Sequence, residues 1–175
     1  MSRGGKSGGG SFRDNLGSAY YSLDDFQASD TAIAEGYTEQ FAKPKNSILD
    51  KGKFFVTNFL DPLTHHLGDR VPIESWYRVP RLNSKLGGSG TSFHLTGEAI
   101  DTVKRPAEFQ RKLIKLIISA RLPFTELILY GSKTAPDHLH IALVKGRGSE
   151  REVLYKTPQG DYEELNIEWL KKNFV

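Results

Sequence analysis

"SFHLTGEAID", residues 92–101, sets a histidine and an aspartate on either side of Gly97, with six residues between them. That gap is not the i,i+4 spacing that puts two ligands on one face of a helix. It suits a residue in a loop meeting a residue on the strand that follows, with Gly97 permitting the bend. "EAIDTV" (98–103) is then a short strand carrying Asp101, and "HLHIALVKG" (138–146) is another, with His138 and His140 on one side because alternate strand residues share a face. By spacing alone the histidines and the aspartate have two readings, metal ligation or ordinary polar strand ends.

Working outward, "VPIESWYRV" (71–79) alternates into a strand ending near Arg78, and "TELILYG" (125–131) gives one more. "PAEFQRKLIKLIISAR" (106–121) is the clearest helix, with Phe109, Leu113, Leu116, Ile117 and Ala120 on one side. Val56, Phe59, Leu60, Leu63 and Leu67 form a second helical stripe, where Asp61 and Pro62 predict a restart or kink. Ser22 and Asp25 form a capping-box pattern for a short helix. "PRLNSK" (80–85) reads as a helical turn before a glycine-rich loop, and the tail as a strand, a Pro-Gln-Gly-Asp turn and a terminal helix. The pattern predicts an α+β fold: a single domain with a small, mostly antiparallel sheet and flanking helices, with the candidate metal ligands at the strand ends. Residues 1–18 read as a flexible, Gly-rich basic leader and 19–175 as the folded domain.

The chain has 175 residues, no cysteine and a net charge of +3. Disulfides, thiol catalysis and cysteine zinc sites are excluded. No apolar run approaches the ~20 residues needed to span a bilayer, so no membrane insertion is expected. The charge is small and no Lys/Arg stripe is interleaved with aromatics, which argues against a nucleic-acid partner. Gly87, Gly88 and Gly90 lack the lysine and the strand–loop–helix setting of a phosphate loop. His65 and His66 read as surface residues, and Trp76 as a half-buried strand aromatic or a groove-lining side chain.

Several separated motifs occur together: Tyr77-Arg78, Asn83, Gly87-Gly88, then Ser92, His94, Gly97, Ala99 and Asp101, then Asp137 and His140. In this order they resemble the zinc D-alanyl-D-alanine carboxypeptidase family. That family includes the L-alanyl-D-glutamate endopeptidases of phage endolysins and shares its metal-site architecture with lysostaphin-type peptidases and hedgehog domains. The similarity covers about residues 20–145. It implies one zinc ion held by His94, Asp101 and His140, with Asp137 as the general base toward the attacking water. It implies that Arg78 binds a substrate carboxylate or the developing oxyanion, and that Ser92 contacts substrate. His138 is the rival acid/base group, because an ideal strand puts residue 138, not 137, on the face of residue 140. Where members of the family carry an acid at the end of the "ELILY" strand, this chain has Tyr130, and its acid is Glu126.

The implied activity is zinc-dependent hydrolysis of an amide bond in peptidoglycan stem peptides. Two bonds fit, L-Ala–D-Glu and the terminal D-Ala–D-Ala, and the first is favoured. The amino-terminal residues hold no secretory signal, which predicts an endolysin-like enzyme made in the cytoplasm and released onto the wall in host-cell lysis. The competing class is an inactive zinc-bearing module that binds cell wall or serves as a phage structural part. No feature of the sequence separates monomer from dimer.

Overall fold

The computed structural model describes residues 16–147 and 151–175. Among the described residues, six strands form one sheet in the order β1-β2-β4-β3-β5-β6. They are β1 (Ile73–Ser75), β2 (Ala99–Thr102), β3 (Glu126–Tyr130), β4 (His138–Ala142), β5 (Glu152–Lys156) and β6 (Tyr162–Leu165). Every pairing is antiparallel except β3 with β5, so the sheet is mostly antiparallel, as the pattern predicts.

The two faces of the sheet differ because its side chains alternate. Ile100, Leu127, Leu129, Leu139, Ile141 and Val153 are buried on one face. Helix α6 (Ala107–Ser119) packs there through Leu113, Ile114 and Ile117, and α7 (Ile167–Phe174) adds Leu170 and Phe174. The other face carries polar and aromatic side chains and forms the floor of a cleft of about 1160 Å³. A second apolar region gathers Tyr21, Phe26 and Phe55 around the indole of Trp76. It joins α1 (Leu23–Gln27) and α3 (Asn46–Phe55) to the segment that follows β1.

Local details confirm some expectations and correct others. Ser22 and Asp25 close a reciprocal capping box at the start of α1. Pro62 does not restart the helix: α3 runs through a widened π-turn (Val56–Leu60) directly into α4 (Asp61–Leu67). That turn lets the helix pass a residue with no N–H to donate. β1 stops at Ser75 rather than near Arg78, because the Arg78 N–H turns to the carbonyl of His94. β6 is a strand that the sequence pattern did not separate from the turn before it. Residues 1–15 of the expected leader lie outside the described residues. Leu16 and Ser18, also assigned to it, are packed: Leu16 is buried and the Ser18 hydroxyl donates to Asp61 at 2.6 Å. Leu16 and Ser18 therefore pack with the rest of the fold.

Candidate metal centre and the surrounding cleft

Strand register builds the first half of the site. Asp101 on β2 lies directly opposite His140 on β4, and both point to the cleft face. His94 arrives from above, on a 3₁₀ turn (Phe93–Thr96) whose amino end is capped by the Ser92 hydroxyl. The turn is closed by Gly97 at φ +72°, and a Cβ there would lie 2.4 Å from the Phe26 ring. Gly97 is thus required both for its left-handed backbone and for its lack of a side chain. Gly97→Ala is expected to cost about 2–5 kcal/mol of stability, which urea unfolding of the metal-free protein would measure.

Three side chains that could hold a metal ion converge. His94 Nε2 is 3.1 Å from Asp101 Oδ2, His140 Nδ1 is 2.8 Å from Asp101 Oδ1, and the two ring nitrogens are 3.2 Å apart. Bonds of ~2.0–2.1 Å at tetrahedral angles would separate donor atoms by ~3.3 Å, so the spacing of the two ring nitrogens and of each from its nearer carboxylate oxygen is close to what zinc needs.

The outer ring atoms fix which nitrogens face inward. His94 Nδ1 donates to the Trp76 carbonyl at 2.6 Å, leaving the Nε2 lone pair for the centre. His140 Nε2 faces Glu126 Oε1 at 3.2 Å, leaving Nδ1 for the centre. Each histidine is thereby held in one tautomer by a neighbouring oxygen, the arrangement that orients metal ligands and raises their basicity. Trp76 is fully buried, not half-buried as expected. Its indole N–H donates to the Gly97 carbonyl at 2.9 Å, so it braces the His94 turn from both its backbone and its ring.

Without a metal, this cluster shares protons. Burial pushes His94 down, reinforced by the charges of His140 and Arg78 against the pull of Asp101. Burial also opposes the charged forms of Asp101 and His140, but their mutual contacts win. Asp101 is held well below the usual carboxylate range by His94 and His140, and His140, between Asp101 and Glu126, is pushed up to about 9. At pH 6 the metal-free site therefore keeps its proton on His140, and an incoming ion must displace it. About one proton should be released per zinc bound at pH 6, with apparent affinity rising about tenfold per pH unit until the pH reaches the His140 value. Calorimetry in buffers of different ionisation enthalpy would check this; zinc uptake without proton release contradicts it.

The remaining residues named from the sequence divide into those the fold gathers around the cleft and those it does not. Arg78 lines the cleft, but its Nη2 pairs with Asp101 Oδ2 and its Nε donates to Ser75 Oγ at 2.7 Å. Ser92 lines the cleft as well as capping the His94 turn. His138 shares the cleft face with His140, whereas Asp137 sits in the turn before β4, its carboxylate against Gly131 and bonded to His138 Nδ1. Asn83 is buried and braces the glycine loop by donating to the Ser89 carbonyl at 2.8 Å. A Cβ on Gly88 would come within 2.2 Å of its Oδ1. Glu98 is not solvated: it is buried and bonded to Lys51 Nζ at 3.0 Å, Thr96 Oγ1 at 2.7 Å and the Lys145 N–H at 2.8 Å. His65 and His66 are exposed on α4, away from the metal cluster. Among the described residues, no helix is long and apolar enough to cross a membrane.

Glu126 as the outer partner of His140, and the carbonyl of Trp76 as that of His94, were not assigned from the sequence. The acid that the resemblance points to on this strand, and the alternation that puts Glu126 on the face of His140, were the available signals for the first. The second is a backbone contact that no side-chain pattern records.

No curated protein matches the chain. The family model described as Peptidase M15 matches residues 19–142, a span that contains every residue of the converging set and both of its outer partners. With the two imidazoles and one carboxylate gathered as zinc requires, the match settles the assignment: the chain belongs to the Peptidase M15 family of zinc metallopeptidases, enzymes that act on peptidoglycan.

Proposed function

We propose that the protein is an endopeptidase that hydrolyses the L-Ala–D-Glu bond of peptidoglycan stem peptides. The observation that carries this reading is the run of the cleft. It passes the converging His94, Asp101 and His140 and continues on both sides, toward Ser29 and Glu74 at one end and Leu154 and Tyr162 at the other. A chain can lie through such a cleft with residues on either side of the scissile bond. A carboxypeptidase needs a closed end with a cation free to hold the terminal carboxylate. Here the guanidinium beside the centre, that of Arg78, is engaged by Asp101 and Ser75.

His94, Asp101 and His140 are the residues we assign to hold the zinc. Bound there, the ion supplies a Lewis acid that lowers the pKa of water and polarises a carbonyl oxygen. We assign proton transfer to the pair His138–Asp137. Asp137 accepts from His138 Nδ1, which leaves Nε2 on the cleft side to take a proton from the attacking water and return it to the leaving amine. Arg78 holds Asp101 in place and adds positive charge beside the oxygen that becomes negative. Ser92 keeps the His94 turn formed at the rim of the cleft.

An endolysin-like role fits this bond preference. Cutting stems at their first peptide bond frees cross-links from the glycan and weakens the wall, whereas trimming a terminal D-alanine leaves the mesh intact. A synthetic stem peptide with its carboxyl terminus amidated separates the readings. The endopeptidase cleaves it as fast as the free acid; a D-Ala–D-Ala carboxypeptidase cleaves only the free acid, and a binding module cleaves neither.

A further inference from the structure

The cleft face of the sheet is arranged in rows across the strands. The row that contains the metal ligands runs Asp101, His140, Ile128, Leu154, Glu164. Two residues along, a second row begins with His138 opposite Tyr130 and ends with Lys156 opposite Tyr162. The Tyr130 ring stacks on His138 at 4.4 Å and 17°. Burial, with the Tyr162 phenol nearby, pushes the Tyr130 hydroxyl up, and Lys156 Nζ sits 3.8 Å over the Tyr162 ring. Tyr162 nonetheless remains 54% exposed, on a strand outside the part of the chain that matches the family model. Lys156 braces its ring and the ring is left in the cleft, which packing alone does not require.

We propose that Tyr130 and Tyr162 form a platform for the glycan, holding the amino-sugar disaccharide that carries the stem peptide. This rests on the endopeptidase reading, because in that substrate the L-alanine is joined directly to the lactyl group of N-acetylmuramic acid. One residue spans at most ~3.6 Å, so the sugar begins within about 7 Å of the scissile bond, counting the lactyl link as one more residue length. The second row lies ~7 Å along the strands from the metal row, and with strands about 4.8 Å apart it extends ~14 Å from β4 to β6. A disaccharide fits that length. Tyrosine rings offer flat apolar faces to the C–H side of a pyranose, while the Lys156 ammonium and the two phenols supply hydrogen bonds to its hydroxyl and acetamido groups.

The test compares the disaccharide-linked tetrapeptide with the same tetrapeptide bearing only an N-acetyl group, using the zinc-loaded protein. The expected kcat/KM ratio is at least tenfold in favour of the sugar-linked substrate. Tyr162→Ala should bring that ratio near one, Tyr162→Phe, which keeps the flat ring and loses one phenol, should lower it only in part, and Glu163→Ala, on the opposite side of β6, should leave it as it is. A wild-type ratio of one, or a ratio unmoved by Tyr162→Ala, overturns the platform and assigns this half of the cleft to peptide. Binding is followed separately by NMR titration with the peptide-free disaccharide. Shifts at Tyr130 and Tyr162 in the wild type, with those at Tyr130 vanishing in Tyr162→Ala, support the platform even if neither substrate is cleaved, which would refute the endopeptidase reading alone. Absence of those shifts overturns the platform, whatever bond the enzyme cuts.

Discussion

Replacing His140 by alanine is expected to leave almost no zinc on the purified protein and to lower turnover by about 10⁴-fold or more, since the metal supplies several kcal/mol of transition-state stabilisation. The loss has two parts. One of three ligand atoms is gone, and the carboxylates of Asp101 and Glu126, both in contact with His140, lose the imidazole between them. Glu126→Gln separates these parts. It keeps all three ligands but weakens the acceptor on His140 Nε2, so zinc affinity should fall by about 10–100-fold while saturating metal restores most of the activity. Metal analysis after dialysis, paired with activity at increasing zinc, measures both. A Glu126→Gln protein with unchanged affinity would remove Glu126 from the account.

The second large effect concerns the proton. His138→Ala should retain stoichiometric zinc and lose about 10²–10⁴-fold in kcat, the range for removing a general acid–base group. Asp137→Asn should lose less, because His138 stays in the cleft and loses only the carboxylate that orients it. The pH–rate profile distinguishes the two roles: the acidic limb should flatten in His138→Ala and persist, displaced, in Asp137→Asn. If Asp137→Asn is the more damaging change and His138→Ala is mild, Asp137 itself is the base, as the family resemblance implies.

The sequence made some of this architecture readable and hid the rest for definable reasons. Helix α6 was legible because its apolar residues recur at helical spacing and meet a single sheet face. Asp101 and His140 were legible as partners because each lies in a short alternating run and the resemblance tied them to His94. β6 was missed because "YEEL" is an exposed edge strand with no buried residue to mark a face. The end of β1 was misplaced because continued alternation hides where the ladder stops. The Trp76 carbonyl leaves the sheet to hold His94, and the Arg78 N–H follows it to the His94 carbonyl. The roles of Asp137 and His138 depended on where the turn after Pro136 gives way to the strand. The sequence raised that question, and the fold answers it by seating Asp137 in the turn and His138 on the strand.

The central claim is a metal-dependent cut at the first peptide bond of the stem. Mass spectrometry of purified peptidoglycan, digested with and without a chelator, tests it most directly. The account predicts new L-alanine carboxyl termini and D-glutamate amino termini that appear only when zinc is present. Release of D-alanine with the L-Ala–D-Glu bonds intact, or no new termini from a zinc-loaded protein, would contradict it.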